Sequence, residues 1–370
     1  EIIVGLPILR WILGSKEEIT PAVTSDNDLF EKMWEAADNN CGEEGTPLEV
    51  TLKNNTFDTS KIPDYIPPKK PKTHKFTPSK WDEYIGQVNA KKIIQSFIKG
   101  SKENEVVFPH TIIDGKAGLG KTTLVYLIKK YLDVDLIEHI ASDIVNLDQL
   151  VKIFAQINSP ARKKDTILFI DEVHNLSPQL IEIFYPILQE GHINDKEIRP
   201  FTFIGCTTEK GKLIRKFKPF VSRMGIQITL EDYSVEEMKT IITQFKNKVF
   251  PEKEITNEIY TVLAKCSRLC PRDAVRLIKS YFYIGNLDET LQAYTIVDKE
   301  NGLTKTDFKI LEYLANNDKV GLQGLSAYLG ISQENYLYQY EQYLIQLQLI
   351  TRTPRGRSIG NKGKEILKEV

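Results

Sequence analysis

A chain of 370 residues is long enough for two or three domains with separate cores, and 41% hydrophobic against 27% charged residues excludes a disordered polymer. Its 49 basic and 50 acidic residues leave a net charge of −1, which excludes a globally cationic nucleic-acid binder; any DNA-binding charge must be local. Cys41, Cys206, Cys266 and Cys270 form neither a disulfide framework nor a zinc-ligand spacing, and read as reduced thiols of a cytoplasmic protein.

Residues 1–75 carry no site motif. The apolar start, Glu1 to Leu13, is too short to span a bilayer, is broken by Pro7 and Arg10, and lacks a basic leader and a cleavage site. Neither membrane insertion nor secretion is expected. Leu29, Met33 and Trp34 suit a short amphipathic helix, and the Pro/Lys stretch from Ile62 to Lys72 reads as an extended linker. A protein partner could bind through residues 1–74.

From about 76 to 231, buried strands alternate with amphipathic helices, the pattern of a parallel α/β sheet with ligands at the strands' carboxyl ends. The strand Thr111-Ile112-Ile113-Asp114 runs into Gly115-Lys116-Ala117-Gly118-Leu119-Gly120-Lys121-Thr122-Thr123, a complete G-x-x-x-x-G-K-[ST] loop. Glycine lets successive backbone N–H groups close on a phosphate chain, and the following helix adds its N-terminal dipole. The loop therefore implies a bound nucleoside triphosphate, with Lys121 on the β- and γ-phosphates and Thr122 on Mg²⁺. Helical spacing of Leu124, Leu127, Ile128, Tyr131 and Leu132 supports the helix. Some fifty residues on, Ile167-Leu168-Phe169-Ile170 reads as a strand buried on both faces and ends in Asp171-Glu172. Asp171 is suited to hold Mg²⁺ through its water shell, and Glu172 to polarise a water for attack on the γ-phosphate.

Residues 232–300 read as a helical lid. Ser234 and Glu237 make a capping box ahead of Met238, Ile241, Ile242 and Phe245. Residues 301–370 have the outline of a winged-helix domain: a helix opened by Thr306-Asp307, a second around Leu325 to Leu329, and a third capped by Ser332, followed by a strand pair. Arg352, Arg355 and Arg357 cluster at the Gly-tipped wing, where guanidiniums would meet DNA phosphates or enter a minor groove.

These residues together resemble the RuvB family, AAA+ ATPases that drive branch migration of Holliday junctions. The resemblance covers residues 76 to 361 and rests on Trp81-Asp82-Glu83-Tyr84-Ile85-Gly86-Gln87, the P-loop, Leu168 to His174, Pro200 to Thr208, Cys270-Pro271-Arg272 and the wing run Ile350 to Arg357. It implies that Tyr84 and Ile85 flank the adenine, that Thr208 is sensor 1 beside the attacking water, and that Arg272 is sensor 2, reaching from lid to γ-phosphate. Arg223 would be the arginine finger inserted into a neighbouring subunit's site, which makes the working form a ring of the family's six subunits.

Two departures stand out. Leu188 to Arg199 is shorter than the hairpin on which the family docks RuvA, which argues against a RuvA-type partner. Ser222 precedes the finger where the family carries Asp, a drift toward clamp loaders. The leading expectation is a ring-forming ATP-driven motor on duplex or branched DNA in recombination, repair or replication. The alternative is a clamp-loader-like switch that assembles a protein on DNA.

Overall fold

The computed structural model describes residues 76–193 and 196–369. The apolar start, the helix around Leu29 to Trp34, the Pro/Lys stretch and Cys41 lie outside the described residues. Among those described, no helix is long and apolar enough to cross a membrane.

A five-stranded parallel sheet organises the nucleotide-binding part. β1 (Thr111–Asp114), β2 (Asp135–Ile140), β3 (Thr166–Asp171), β6 (Phe201–Thr207) and β7 (Ile226–Thr229) lie in the order β2-β3-β6-β1-β7. Side-chain alternation divides each strand between two cores. Ile113, Ile167, Phe169, Ile204 and Cys206 pack on one face with α1 (Val88–Glu103), α2 (Lys121–Leu132) and the lid. Ile112, Leu168, Ile170, Phe201 and Phe203 pack on the other with α3 (Leu147–Ile157), α4 (Pro178–Glu190) and α5 (Lys210–Ser222). Phe154, Phe184, Phe203 and Phe220 interlock edge to face in that second core.

β1 lies between β6 and β7, and β6 separates it from β3. Its chain leaves the sheet at Asp114, straight into the glycine loop, while β3 ends close by at Asp171. Such a reversal of strand order opens a crevice at the carboxyl edge. The link between α4 and β6 folds as a two-residue-per-strand hairpin, β4 (His192–Ile193) and β5 (Lys196–Glu197).

α6 (Val235–Val249), α7 (Asn257–Cys266), α8 (Pro271–Ile284) and α9 (Leu287–Ala293) form the lid. α6 starts at the expected capping box: Ser234 Oγ accepts from Glu237 N–H, and the Glu237 carboxylate accepts from Ser234 N–H. A small hairpin, β8 (Ile296–Asp298) with β9 (Leu303–Thr304), leads into α10 (Lys305–Asn316). This helix is capped by Thr304 with Asp307, so it starts slightly ahead of the expected Thr306-Asp307.

α11 (Leu322–Leu329) precedes a third helix, α12, in which Gln333–Tyr336, Leu337–Glu341 and Gln342–Gln346 run on without a break. Ser332 caps it, as the sequence suggests, and its middle stretch is π-wound. The wing is β10 (Ile350–Thr353) paired antiparallel with β11 (Gly356–Ile359), and α13 (Asn361–Glu369) closes the unit over a third core.

Lid and winged helix are riveted at Arg268. Its Nε donates to Gly302 O at 3.3 Å and its Nη1 to Gln339 O at 3.0 Å, while Nη2 pairs with buried Asp307. The guanidinium also lies over the Tyr343 ring. Arg268 and Leu269 both hold left-handed backbones, with φ of 52° and 58°.

Candidate nucleotide site and its family

A cavity of about 520 Å³ opens where the P-loop, the carboxyl end of β3 and the lid meet. Gly115, Gly118 and Gly120 all take positive φ, 158°, 80° and 96°, which turns the loop's amides inward. A Cβ on Gly118 would stand 2.5 Å from Cys270 Sγ and 3.0 Å from Arg272 Cβ, so only glycine lets the lid approach this closely. Two phenols fasten the loop from beneath: Tyr84 Oη donates to Gly120 O at 3.3 Å, and Tyr233 Oη to Leu119 O at 3.0 Å.

Lys121, the first residue of α2, is 7% exposed and curls back to donate to Gly115 O at 2.7 Å and Lys116 O at 3.0 Å. Burial pulls its pKa below the usual lysine value, against the opposing pull of Glu172 and Asp171. Burial likewise raises Asp171, whose Oδ1 accepts from Glu172 N–H at 3.0 Å. A lysine and a carboxylate both short of partners for their charged forms suit a polyanion and its counter-cation, and the cavity's size and glycine cradle fit a nucleotide.

Glu172 follows β3 on a left-handed backbone, φ 50°. Its Oε2 accepts from Thr208 Oγ1 at 2.9 Å and from Thr208 N–H at 3.1 Å. The carboxylate is thus aimed across the strand ends toward the phosphate end of the cavity. Beside it His174, 4% exposed, places Nδ1 2.8 Å from Thr207 Oγ1 and Nε2 3.3 Å from Glu209 Oε1. Burial lowers the pKa of His174 in spite of both carboxylates. A neutral ring satisfies this surround with Nε2–H directed at Glu209 and Nδ1 accepting from the Thr207 hydroxyl.

Tyr84, Ile85, Gly118, Leu119, Gly120, Lys121, Thr122, Thr123, Asp171, Glu172 and Arg272 all line the cavity, and Thr208 touches it through Glu172. Tyr84 is buried, packed under Gly120 rather than standing free. Arg223 lies apart from this cavity; it stacks over Tyr185 and donates to Pro219 O at 2.7 Å and Gln189 Oε1 at 3.3 Å.

The wing arginines do not behave as one cluster. Arg352 and Arg355 are exposed, but Arg357 is 7% exposed and donates from Nε to Glu341 Oε1 at 2.8 Å and from Nη2 to Oε2 at 3.2 Å. The expectation that Arg357 contacts DNA is corrected: its charge is engaged inside the winged helix.

Sequence reasoning missed the far wall of the cavity, where Phe76 and Pro78 from the entering chain face Gln244, Phe245 and Lys279 from the lid. Gln244 and Lys279 lie on different helices and share no spacing that marks them. Glu209 was within reach, since it directly follows Thr208.

Comparison with known proteins accounts for the arrangement. Residues 76–230 match the model of the Holliday junction DNA helicase RuvB P-loop domain, and residues 300–368 that of the RuvB C-terminal winged helix domain. The Holliday junction branch migration complex subunit RuvB of Thermotoga maritima is 32% identical over 315 residues, 79% of this chain and 91% of that protein. The Mycoplasma genitalium counterpart is 29% identical over 308 residues, 78% and 97% of the two chains. A solved structure of the Thermotoga maritima RuvB branch migration motor superimposes with a TM-score of 0.68 at 32% identity, covering 79% of this chain and 97% of that one. With both of the family's domain models matched and nearly the whole of its relatives spanned, the chain belongs to the RuvB family of P-loop ATPases.

Proposed function

We propose that this chain is an ATP-dependent DNA motor of the cytoplasm, which hydrolyses ATP in a ring and uses the turnover to translocate duplex DNA or migrate branched junctions. The observation that carries this reading is the Glu172 carboxylate, held by Thr208 in a crevice that also presents Lys121, Asp171 and the lid's Arg272. A site that only held nucleotide would need no such carboxylate.

The organisation that goes with it is an N-terminal extension to residue 75, a nucleotide-binding domain over 76–231, a lid over 232–300 and a winged helix over 301–370. In the bound state the P-loop amides and Lys121 hold the β- and γ-phosphates, and the side chains of Tyr84 and Ile85 wall the base. Glu172 accepts a proton from the attacking water, and Thr208 fixes the direction of that carboxylate. Arg272 reads the γ-phosphate from the lid, so that hydrolysis loosens the lid. Thr122 and Asp171 hold Mg²⁺, whose charge polarises the phosphates. Among the described residues no three His, Cys, Asp or Glu side chains form a metal cage, which suits an ion held largely by phosphate oxygens and water.

Arg223 stands outside its own cavity, where a residue that serves a neighbouring subunit belongs, and a ring of six follows by analogy with the family. Arg352 and Arg355 grip DNA phosphates. On a synthetic four-way junction the wild-type protein is expected to exchange strands with ATP, Lys121→Ala to lose nucleotide binding, and Glu172→Gln to bind ATP without turnover. Wild-type turnover by Glu172→Gln would sink the mechanism.

The short β4-β5 hairpin and the Ser222-Arg223 pair favour one second reading, a clamp-loader-like switch that assembles a protein on DNA. Such a switch would hydrolyse ATP on the same junction and leave its strands unexchanged.

A further inference from the structure

The third helix of the winged-helix unit reaches the nucleotide machinery directly. A second cavity, of about 770 Å³, separates α12 from the P-loop and the end of β6, and is lined from one side by Glu172, His174 and Glu209 and from the other by Tyr338 and Gln346. Two links cross it. Lys116, the second residue of the P-loop, donates from Nζ to Gln346 Oε1 at 3.2 Å. The Tyr338 hydroxyl donates to the Glu209 carboxylate.

From Glu209 the contacts continue inward without a gap. Glu209 Oε1 is 3.3 Å from His174 Nε2, and His174 Nδ1 is 2.8 Å from Thr207 Oγ1 and 3.3 Å from Glu172 Oε2. Glu209 N–H also donates to Thr207 Oγ1 at 3.0 Å, so Glu209 and His174 share one hydroxyl as a pivot. Tyr338 is 52% exposed and contributes nothing to the winged-helix core; its placement serves the cavity. The π-winding of Leu337–Glu341 accounts for that placement, since it widens the turn while Tyr336 and Glu341 stay buried inward.

We propose that Tyr338 is a positioning residue for Glu172, acting through Glu209 and His174, so that the DNA-bearing unit sets the rate of ATP hydrolysis by docking or withdrawing one hydroxyl. The proposal rests on the reading of Glu172 as the carboxylate that polarises the attacking water. With Tyr338 docked, Glu209 is fixed, the His174 ring is fixed by Glu209, and Glu172 faces an immobile neighbour. With Tyr338 withdrawn, Glu209 and His174 can turn and the carboxylate loses its register with the phosphate.

The test is ATP turnover by the full-length protein at saturating duplex DNA. Tyr338→Phe and Glu209→Gln are each expected to lower kcat about five-fold, the factor that one ordinary hydrogen bond carries, with KM for ATP within about two-fold of wild type. The double variant is expected to fall no further than the weaker single variant, because both changes cut the same path. An unchanged or raised kcat in Tyr338→Phe, an effect confined to KM, or additive losses in the double variant overturn the proposal. Glu172→Gln in the same assay separates the two layers. Inactive Glu172→Gln with unaffected Tyr338→Phe rejects the relay alone, whereas active Glu172→Gln rejects the reading beneath it.

Discussion

Arg352 and Arg357 are register partners in the wing hairpin, and two guanidiniums directly opposite one another repel unless an anion lies between them. Glu341 is that anion: buried, bidentate with Arg357, and 4.0 Å from Arg352. Arg357→Ala should therefore strand a buried carboxylate and destabilise the fold by about 3–5 kcal/mol, read as a lowered denaturation midpoint. Arg355→Ala should leave that midpoint unchanged. It should instead reduce the slope of log affinity for DNA against log salt by up to ~0.9 for each phosphate it ceases to neutralise. If Arg357→Ala unfolds with wild type, the buried pair is not what holds the wing. The sequence could announce a basic wing but not this division of labour, because charge says nothing about which way a side chain faces. That depends on pairing register and on a glutamate from a preceding helix.

Three imidazoles set a pH limit at the same scale. His110, His139 and His174 are all held below the ordinary histidine value, in each case first by burial. His110 Nδ1 accepts from Phe203 N–H at 2.9 Å, a bond that a proton on that nitrogen would break. The unfolded chain takes up protons below about pH 6.5, where the fold still resists them, so stability falls as the pH drops through that value. Melting temperatures between pH 8 and pH 5.5 should decline across that window, and a flat profile would contradict the assignment.

Elements whose cause is local are legible in the sequence itself. The P-loop strand and helix, the capping box of α6 and the Ser332 cap of α12 each depend on residues within a few positions of one another. Ser234→Ala should accordingly cost about 1 kcal/mol, measurable by denaturation. The wall made by Gln244 and Lys279, and the cluster of Glu172, His174 and Glu209, depend instead on elements far apart in sequence; no spacing could disclose them. Gly118 stands between these cases, since its motif is local but its reason is the lid. Gly118→Ala should push Cys270 and Arg272 away from the loop and weaken ATP binding, read by titration of a fluorescent nucleotide. Wild-type affinity would mean that the lid yields freely.

At the scale of the molecule, the placement of Arg223 on the far side of the second core, stacked on Tyr185, makes a claim about assembly. Arg223→Ala and Lys121→Ala should each be inactive alone, yet a mixture should regain part of the ATPase activity, since an intact finger can then face an intact P-loop across an interface. No recovery on mixing would remove the finger from its neighbour's site.

The Arg268 junction has its own consequence. One guanidinium ties the lid to Gly302, Asp307 and Gln339, on a backbone that takes two left-handed residues in succession. Lid and winged helix therefore turn as a single rigid arm. An angular change of the lid at Arg272 reaches the wing multiplied by the arm's length, so the stroke delivered to DNA is fixed by geometry, and the force falls in the same proportion.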